Sequence, residues 1–395
     1  MNVNTENARL LKTRRALFGC FLVLGFVMAS WIVRTPSIRD ALSASTAEMG
    51  LILFGFSLGS MGGILLAGNI VARIGADRAV CAGMTLALAG LIVLSSGTHL
   101  ALAWATGLGL GLVGFGMAQA EVAVNVLGAH VERGLGRPVL TLVHGCFSLG
   151  TTLGAVCGLL LVAQGLSVTS HMLVVCALLS PMLVYVTYGV VGSHGARATN
   201  SGNKRGFIAT IKDDPKLILI GSIVLAVALA EGSANDWLPL LIVDAHETSE
   251  VVGSLLFVAF AATMTLGRFL GTGVLRRFGP VNVIRASALI GAIGILIVVL
   301  APSLYVAGVG VFLWGIGASL GFPVAMSAGA SVGHDPAARI AVLATIGYMA
   351  FLVGPPLLGF IGEHIGLRLT MLVVLALLAL ALPLLLAPTL QRRNA

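Results

Sequence analysis

The sequence predicts an all-α membrane protein, with twelve transmembrane helices in two pseudo-symmetric six-helix bundles. Three observations predict it. Of the 395 residues 58% are apolar and only 10% charged, and the mean hydropathy of +1.04 lies far above soluble usage. The apolar residues fall into twelve runs long enough to cross a hydrocarbon core, which needs roughly 20 helical residues, and none has the short alternation of a barrel strand. A polar segment divides the runs six and six, and the halves resemble each other in order.

The first run, 16–34, follows Arg9, Lys12, Arg14 and Arg15 as a signal sequence would, but no small-residue cleavage site follows, so it is read as the first helix. Runs at 46–72 and 79–97 come next, joined by a short basic loop with Arg73 and Arg78. The fourth run, 101–128, opens with "GLGLG" (107–111) and carries Glu121 and Asn125; the fifth, 138–163, carries His144; the sixth is 168–192. The glycines are read as helix-contact faces, because close packing in lipid favours small residues. A phosphate-cradling loop is disfavoured, since these stretches lie inside apolar spans and no Lys-Ser/Thr follows. Cys20, Cys81, Cys146, Cys157 and Cys176 all fall within spans without C-x-x-C or metal spacing, and read as packing residues.

Between 192 and 216, "GSHGARATNSGNKRGFIATIKDDPK" is polar, Gly/Ser-rich and basic, as a flexible connection is. The expected organisation is a bundle over 1–192, a linker over 193–215 and a second bundle over 216–395. Its spans are 216–237, 250–274, 283–300, 304–330, 339–361 and 367–388. Nineteen of the 23 Lys and Arg residues fall on one side if both termini lie inside, and the positive-inside rule makes that side the cytoplasm. The net charge of +8 follows from this asymmetry, so no nucleic-acid partner is expected.

Sliding one half along the other gives three registrations. "GLGLGLVGFG" (107–116) matches "GVGVFLWGIG" (308–317) at an offset of 201; "GILLAGNIVARIG" (63–75) matches "GRFLGTGVLRRFG" (267–279) at 204; Phe147 and Gly150 meet Phe351 and Gly354, again at 204. A duplicated six-helix unit is the pattern of transporters built from two repeats around a midplane site.

The repeated loops carry a signature. Gly68-x-x-x-Ala72-Arg73-x-Gly75 resembles the G-x-x-x-D-R-x-G loop of the major facilitator superfamily, with Arg276-Arg277-Phe278-Gly279 as its echo; Ala72 and Arg276 replace the usual Asp. "AEVAVNVLG" (120–128) and "FSLGTTLG" (147–154) resemble the fourth and fifth helices of the fucose/galactose/glucose:proton symporter group. The resemblance implies two six-helix bundles around a central cavity lined mainly by the first, fourth, seventh and tenth helices. It also implies rocking between inward- and outward-open states.

Ionisable residues in a span are costly and read as functional by default, with a partner expected. Glu121 and Asn125 share a helix face. Glu121 is read as a proton-titrating or substrate-contacting group, with a structural ion pair as the competing reading. Arg268 is its expected counter-ion, and His144 either tunes that pair or packs the bundle. Glu231 and Asn235 are placed in the outer half of the cavity. Arg34 and Asp236, repeat counterparts at an offset of 202, either close an outer gate or are each solvated at a helix end. Trp31 and Trp314 either stack on a small ring or serve as core or lipid anchors. Pro355 and Pro356 should bend the eleventh helix.

These readings lead to a secondary transporter of a small polar solute, sugar-like by resemblance. It is expected to be coupled to protons, to work without cofactor or metal, and to act as a monomer in a bacterial inner membrane. Proton-driven efflux of amphipathic compounds and a non-transporting sensor are the alternatives. No Ser/His/Asp set, His-x-x-Glu-His pair or nucleotide loop is present in the sequence, so neither an enzyme nor an ATP-driven pump is expected.

Overall fold

A computed structural model describes residues 3–137, 139–192, 207–330 and 336–386. These residues form fourteen α-helices and no strand. In chain order they are α1 (Val3–Ile32), α2 (Thr35–Leu42), α3 (Thr46–Ile74), α4 (Ala76–His99), α5 (Ala103–Leu135), α6 (Leu140–Ala163) and α7 (Val168–Val190). Then follow α8 (Phe207–Asp213), α9 (Lys216–His246), α10 (Glu250–Phe278), α11 (Pro280–Leu300), α12 (Leu304–Ala330), α13 (Pro336–Ile365) and α14 (Leu367–Leu386). Eleven are long and apolar enough to cross a membrane, and α14 contributes a shorter apolar stretch, Leu367–Pro383. The chain is a multi-pass membrane protein.

The helices outrun the apolar runs that announce them. Hydropathy marks the part that meets hydrocarbon, whereas the backbone goes on satisfying itself by helical hydrogen bonds into the interface. Thus α9 passes through Pro239 and continues to His246, and α5 reaches Leu135 before Gly136 caps it at φ +63°. Two short helices lack a hydropathy signal. In α2, Pro36 near the first turn suits a helix start, where its missing N–H is an orphan in any case. Of the expected linker, residues 193–206 lie outside the described residues, and Phe207–Asp213 is helical.

The chain separates into two compact units, Met1–Asn200 and Ser201–Ala395. Each has the same internal pairings. In unit 1, α1 packs on α6 and α7, α5 packs on α3 and α4, and α4 packs on α7; in unit 2, α9 packs on α13 and α14, α12 packs on α10 and α11, and α11 packs on α14. Glycines permit the closest crossings. Gly90 on α4 lies against the Gly109 carbonyl and Val113 amide of α5, and Gly294 on α11 lies against the Gly310 carbonyl and Trp314 amide of α12. Neither crossing has room for a methyl group, so backbone meets backbone as small-residue packing in lipid requires.

The helix ends repeat as well. Ser45 and Ser249, 204 apart, are extended N-caps of α3 and α10, with φ/ψ of −69°/169° and −74°/156°. Ser45 completes a capping box with Glu48, while Ser249 makes no side-chain cap bond. Gly75 and Gly279, also 204 apart, close the same helices at φ +88° and +73° with ψ 154° and 163°. Only glycine enters that region without strain, which is why both loops keep this residue.

Candidate functional site

In unit 2 the site is built around the middle of α9. Glu231 stands fifteen residues from either end of this 31-residue helix, about 22 Å from each by the helical rise. It is therefore midway along the helix. Glu231 is 9% exposed. Its Oε1 accepts from Arg268 Nη2 of α10 at 2.7 Å, whereas Oε2 is buried with no hydrogen-bond partner among the described residues.

Three helices hold this pair. Arg268 also donates from Nε to the Ser319 carbonyl of α12 at 3.4 Å. Gly267, the preceding residue on α10, leaves the space that the Ser319 side chain occupies. Trp314, also on α12, donates from Nε1 to the Ala230 carbonyl at 2.9 Å, fixing α9 one residue before Glu231. Asn235, one turn along the same face of α9, is 7% exposed.

Arg268 thus meets a carboxylate, Glu231, inside its own unit. Trp314 and Trp31 are both fully buried, Trp314 edge-on to Phe260 and Trp31 against Phe56 at 5.3 Å between ring centroids. Their rings form core, and the stacking surface considered for a solute is not offered by either.

In unit 1, Glu121 and Asn125 lie on α5, a 33-residue helix in which Glu121 is fourteen residues from the C-terminal end, about 21 Å. Glu121 is exposed and Asn125 half-buried. Of the 24 residues from 109 to 132, Glu121 is the only exposed one. A lipid-facing stripe would instead expose apolar neighbours at three- and four-residue spacing; Met117, Ala118 and Val124 are buried. His144 on α6 is also exposed, and its ring meets Phe21 of α1 edge-on at 4.9 Å.

Arg34 lies in unit 1 and Asp236 in unit 2. Arg34 is 1% exposed and engaged inside unit 1: Nε donates to His171 Nδ1 at 2.9 Å, Nη2 to the Leu166 carbonyl at 2.6 Å and Nη1 to Ser37 Oγ at 3.4 Å. Asp236 is half-buried and lies ten residues before the end of α9, about 15 Å from it, so it is not at a helix terminus.

In the facilitator-like loops, Gly68, Arg73 and Arg277 are exposed, and Gly75 and Gly279 take the positive φ described above. Sequence reasoning missed Asp77. It is buried in the first turn of α4 and accepts from the Gly192 amide at the end of α7 at 3.0 Å. An acid at the start of a helix, where the backbone amides are unpaired, is the signal that could have found it. Glu132 was missed too: from α5 it accepts from the Val139 and Leu140 amides at 2.6 and 2.9 Å, capping α6. The same joint in unit 2 has the opposite polarity. Arg339 of α13 donates to the Gly329 carbonyl at the end of α12 and pairs with Asp214 ahead of α9.

The family model described as Major Facilitator Superfamily matches residues 16–339. The chain belongs to the Major Facilitator Superfamily. This facilitator is 29% identical over 394 residues to the uncharacterized transporter y4wD of Sinorhizobium fredii, covering 97% of the chain and all of that protein. It is 26% identical over 366 residues to the membrane protein MosC of Rhizobium meliloti, covering 90% and 85%. Among solved structures it superposes on a variant of the nucleoside transporter NupG with a TM-score of 0.77 at 12% identity, covering 96% of this chain and 99% of that one. On the fucose:proton symporter FucP of E. coli the TM-score is 0.60 at 17% identity, covering 94% and 97%. These likenesses carry the fold. Together with the family they make the protein a transporter and not an enzyme.

Proposed function

We propose that this facilitator moves a small polar, sugar-like solute by alternating access, coupled to protons through Glu121. The observation that carries the proposal is the isolation of Glu121: one exposed carboxylate at mid-helix, in a stretch of 24 residues otherwise buried or half-buried. Glu231 is already compensated in place by Arg268 at 2.7 Å. Glu121 has no such cation in its own bundle among the described residues, so its charge is neutralised by what arrives, a proton or a group on the solute. Asn125 one turn away supplies amide donors and an acceptor suited to hydroxyls.

In this reading Glu231 and Asn235 form the second polar station, where the free Oε2 accepts a solute hydroxyl. The structural neighbours with nucleoside and fucose cargoes support a polar, ring-bearing solute as the class to test. The segments "ASWIVRTPSIRDALSASTAEMG" (29–50), "AEGSANDWLPLL" (230–241) and "FLVGPPLLG" (351–359) resemble the bacterial inner-membrane protein YbjJ, which supports a bacterial inner membrane, and the Lys/Arg asymmetry supports cytoplasmic termini.

Proton uptake by de-energised vesicles, on adding monosaccharides and nucleosides singly, tests the proposal with wild type beside Glu121→Gln. Solute-dependent alkalinisation that the variant loses is expected. No proton movement with any of these solutes, in protein shown to be folded, overturns the coupling and the solute class together; movement retained in Glu121→Gln removes Glu121 alone.

A further inference from the structure

The α4–α5 joint of unit 1 and the α11–α12 joint of unit 2 are built alike. Each takes three residues, 100–102 and 301–303, and the second residue of the helix that follows is aromatic, Trp104 on α5 and Tyr305 on α12. The two rings are 201 apart, the register of the glycine-rich segments that come after them. Trp104 is 70% exposed and Tyr305 88%. One turn further along the same faces, Leu108 and Val309, again 201 apart, are exposed as well. We infer that Trp104 and Tyr305 dock their units at the headgroup–hydrocarbon boundary of one lipid leaflet, the leaflet opposite the facilitator-like loops.

Indole and phenol each join an apolar body to a polar tip, and such rings gain most where hydrocarbon gives way to headgroups. In water the body would stay solvated. In pure hydrocarbon the N–H or O–H would be stranded without a partner. The residues around the rings fit the boundary: Leu108 and Val309 continue each face with aliphatic surface toward the membrane interior. No Asp, Glu, Lys or Arg occurs from Ala79 to Ala120 or from Ala286 to His334, so neither joint has the formal charges of a water-facing rim. The opposite ends of α4 and α11 differ, since they begin beside Arg73 and beside Arg276 and Arg277.

A second copy of the protein is the competing occupant of such a face. A two-fold interface joins one patch to itself, whereas this patch recurs in both units at equivalent positions, as contact with a continuous lipid layer requires. The two rings open the helices that carry Glu121 and Trp314, so the depth at which they seat also sets the depth of those side chains. The inference is independent of the roles proposed for Glu121 and Glu231.

Fluorescence quenching of the full-length protein in phosphatidylcholine vesicles tests it, with nitroxides on the headgroup, high on the acyl chain or at its end, and with acrylamide in the water. Trp31, Trp237 and Trp314 are fully buried, so quenching of the wild type reads Trp104, and Trp104→Phe should lose most of it. The quenching depth should fall about 15 Å from the midplane, the edge of a roughly 30 Å hydrocarbon core. Tyr305→Trp in the Trp104→Phe background should restore quenching at the same depth. Strongest quenching by the chain-end nitroxide overturns the inference, and so does quenching by acrylamide alone, which puts the ring in water. Wild-type fluorescence that no lipid nitroxide quenches overturns it too, because a second copy then covers the ring. Depths for the two positions that differ by more than about 5 Å, one helical turn, mean that the joints share no boundary, and the inference fails.

Discussion

The two units share a scaffold and differ in what they do with a carboxylate. Unit 1 exposes Glu121 alone over residues 109–132 of α5, and unit 2 buries Glu231 on α9 against Arg268. The helix pairings, the glycine crossings and the caps at Ser45/Ser249 and Gly75/Gly279 are common to both. The carboxylates therefore differ on frames whose long helices pair alike. A rigid duplicated frame lets one half hold a fixed, neutral ion pair while the other keeps a charge that can change.

The largest effect should come from breaking the buried pair. Arg268→Met leaves Glu231 uncompensated with neither oxygen partnered, and removing one member of a buried pair costs about 3–5 kcal/mol. A value at the lower end is expected, because the Arg268 side chain is 24% exposed. SDS-driven unfolding in mixed micelles measures it. The double variant Arg268→Met/Glu231→Gln should recover most of the loss, since no unpaired charge remains. If the single and double variants lose equally, Arg268 acts through its bond to the Ser319 carbonyl and its stem packing, and the contrast between the units fails.

How much of this was legible in the sequence depends on whether the cause is local. The spans and the duplication were legible, because hydropathy and glycine spacing are read along the chain. Glu231 was legible as a charge that needs a partner. Which cation meets it was not, because Arg268 lies 37 residues away and its direction is set by Gly267 and Ser319 against α12. The end of α9 was not legible: its apolar run stops at 237, yet the helix passes Pro239 to His246, since a membrane helix tolerates proline where neighbours and water satisfy the freed backbone group. Trp31 and Trp314 could not be sorted by residue type, since an aromatic ring suits core, lining and interface alike.

A middle-sized effect tests how far the equivalence of the frames extends. Gly75→Ala and Gly279→Ala each force a Cβ into a backbone region populated almost only by glycine, costing about 1–3 kcal/mol. The surroundings differ. A Cβ at Gly75 meets Asp77 Oδ1 at 2.8 Å, whereas nothing lies within 4 Å at Gly279. Asp77 is held by the Gly192 amide, so it cannot move without losing that bond. Gly75→Ala should therefore destabilise more than Gly279→Ala in the same unfolding assay. The reverse order would mean that the two loops are not equivalent in the way their φ and ψ values indicate.

The smallest effect on stability carries the sharpest form of the comparison. Glu121→Gln keeps the shape of a side chain that is already exposed and removes no ion pair found in its bundle among the described residues, so its unfolding free energy should stay within about 0.5 kcal/mol of wild type. Glu231→Gln, in contrast, removes the carboxylate of a buried ion pair and should cost several-fold more. A carboxylate that holds the fold together and one that changes charge during transport make opposite demands. The first must stay ionised beside its cation, and the second must be free to be neutral without the structure noticing. If Glu121→Gln destabilises as much as Glu231→Gln, Glu121 is a structural charge and the division between the two units dissolves; if it leaves stability untouched and abolishes solute-driven proton uptake, the exposed carboxylate is the one that works.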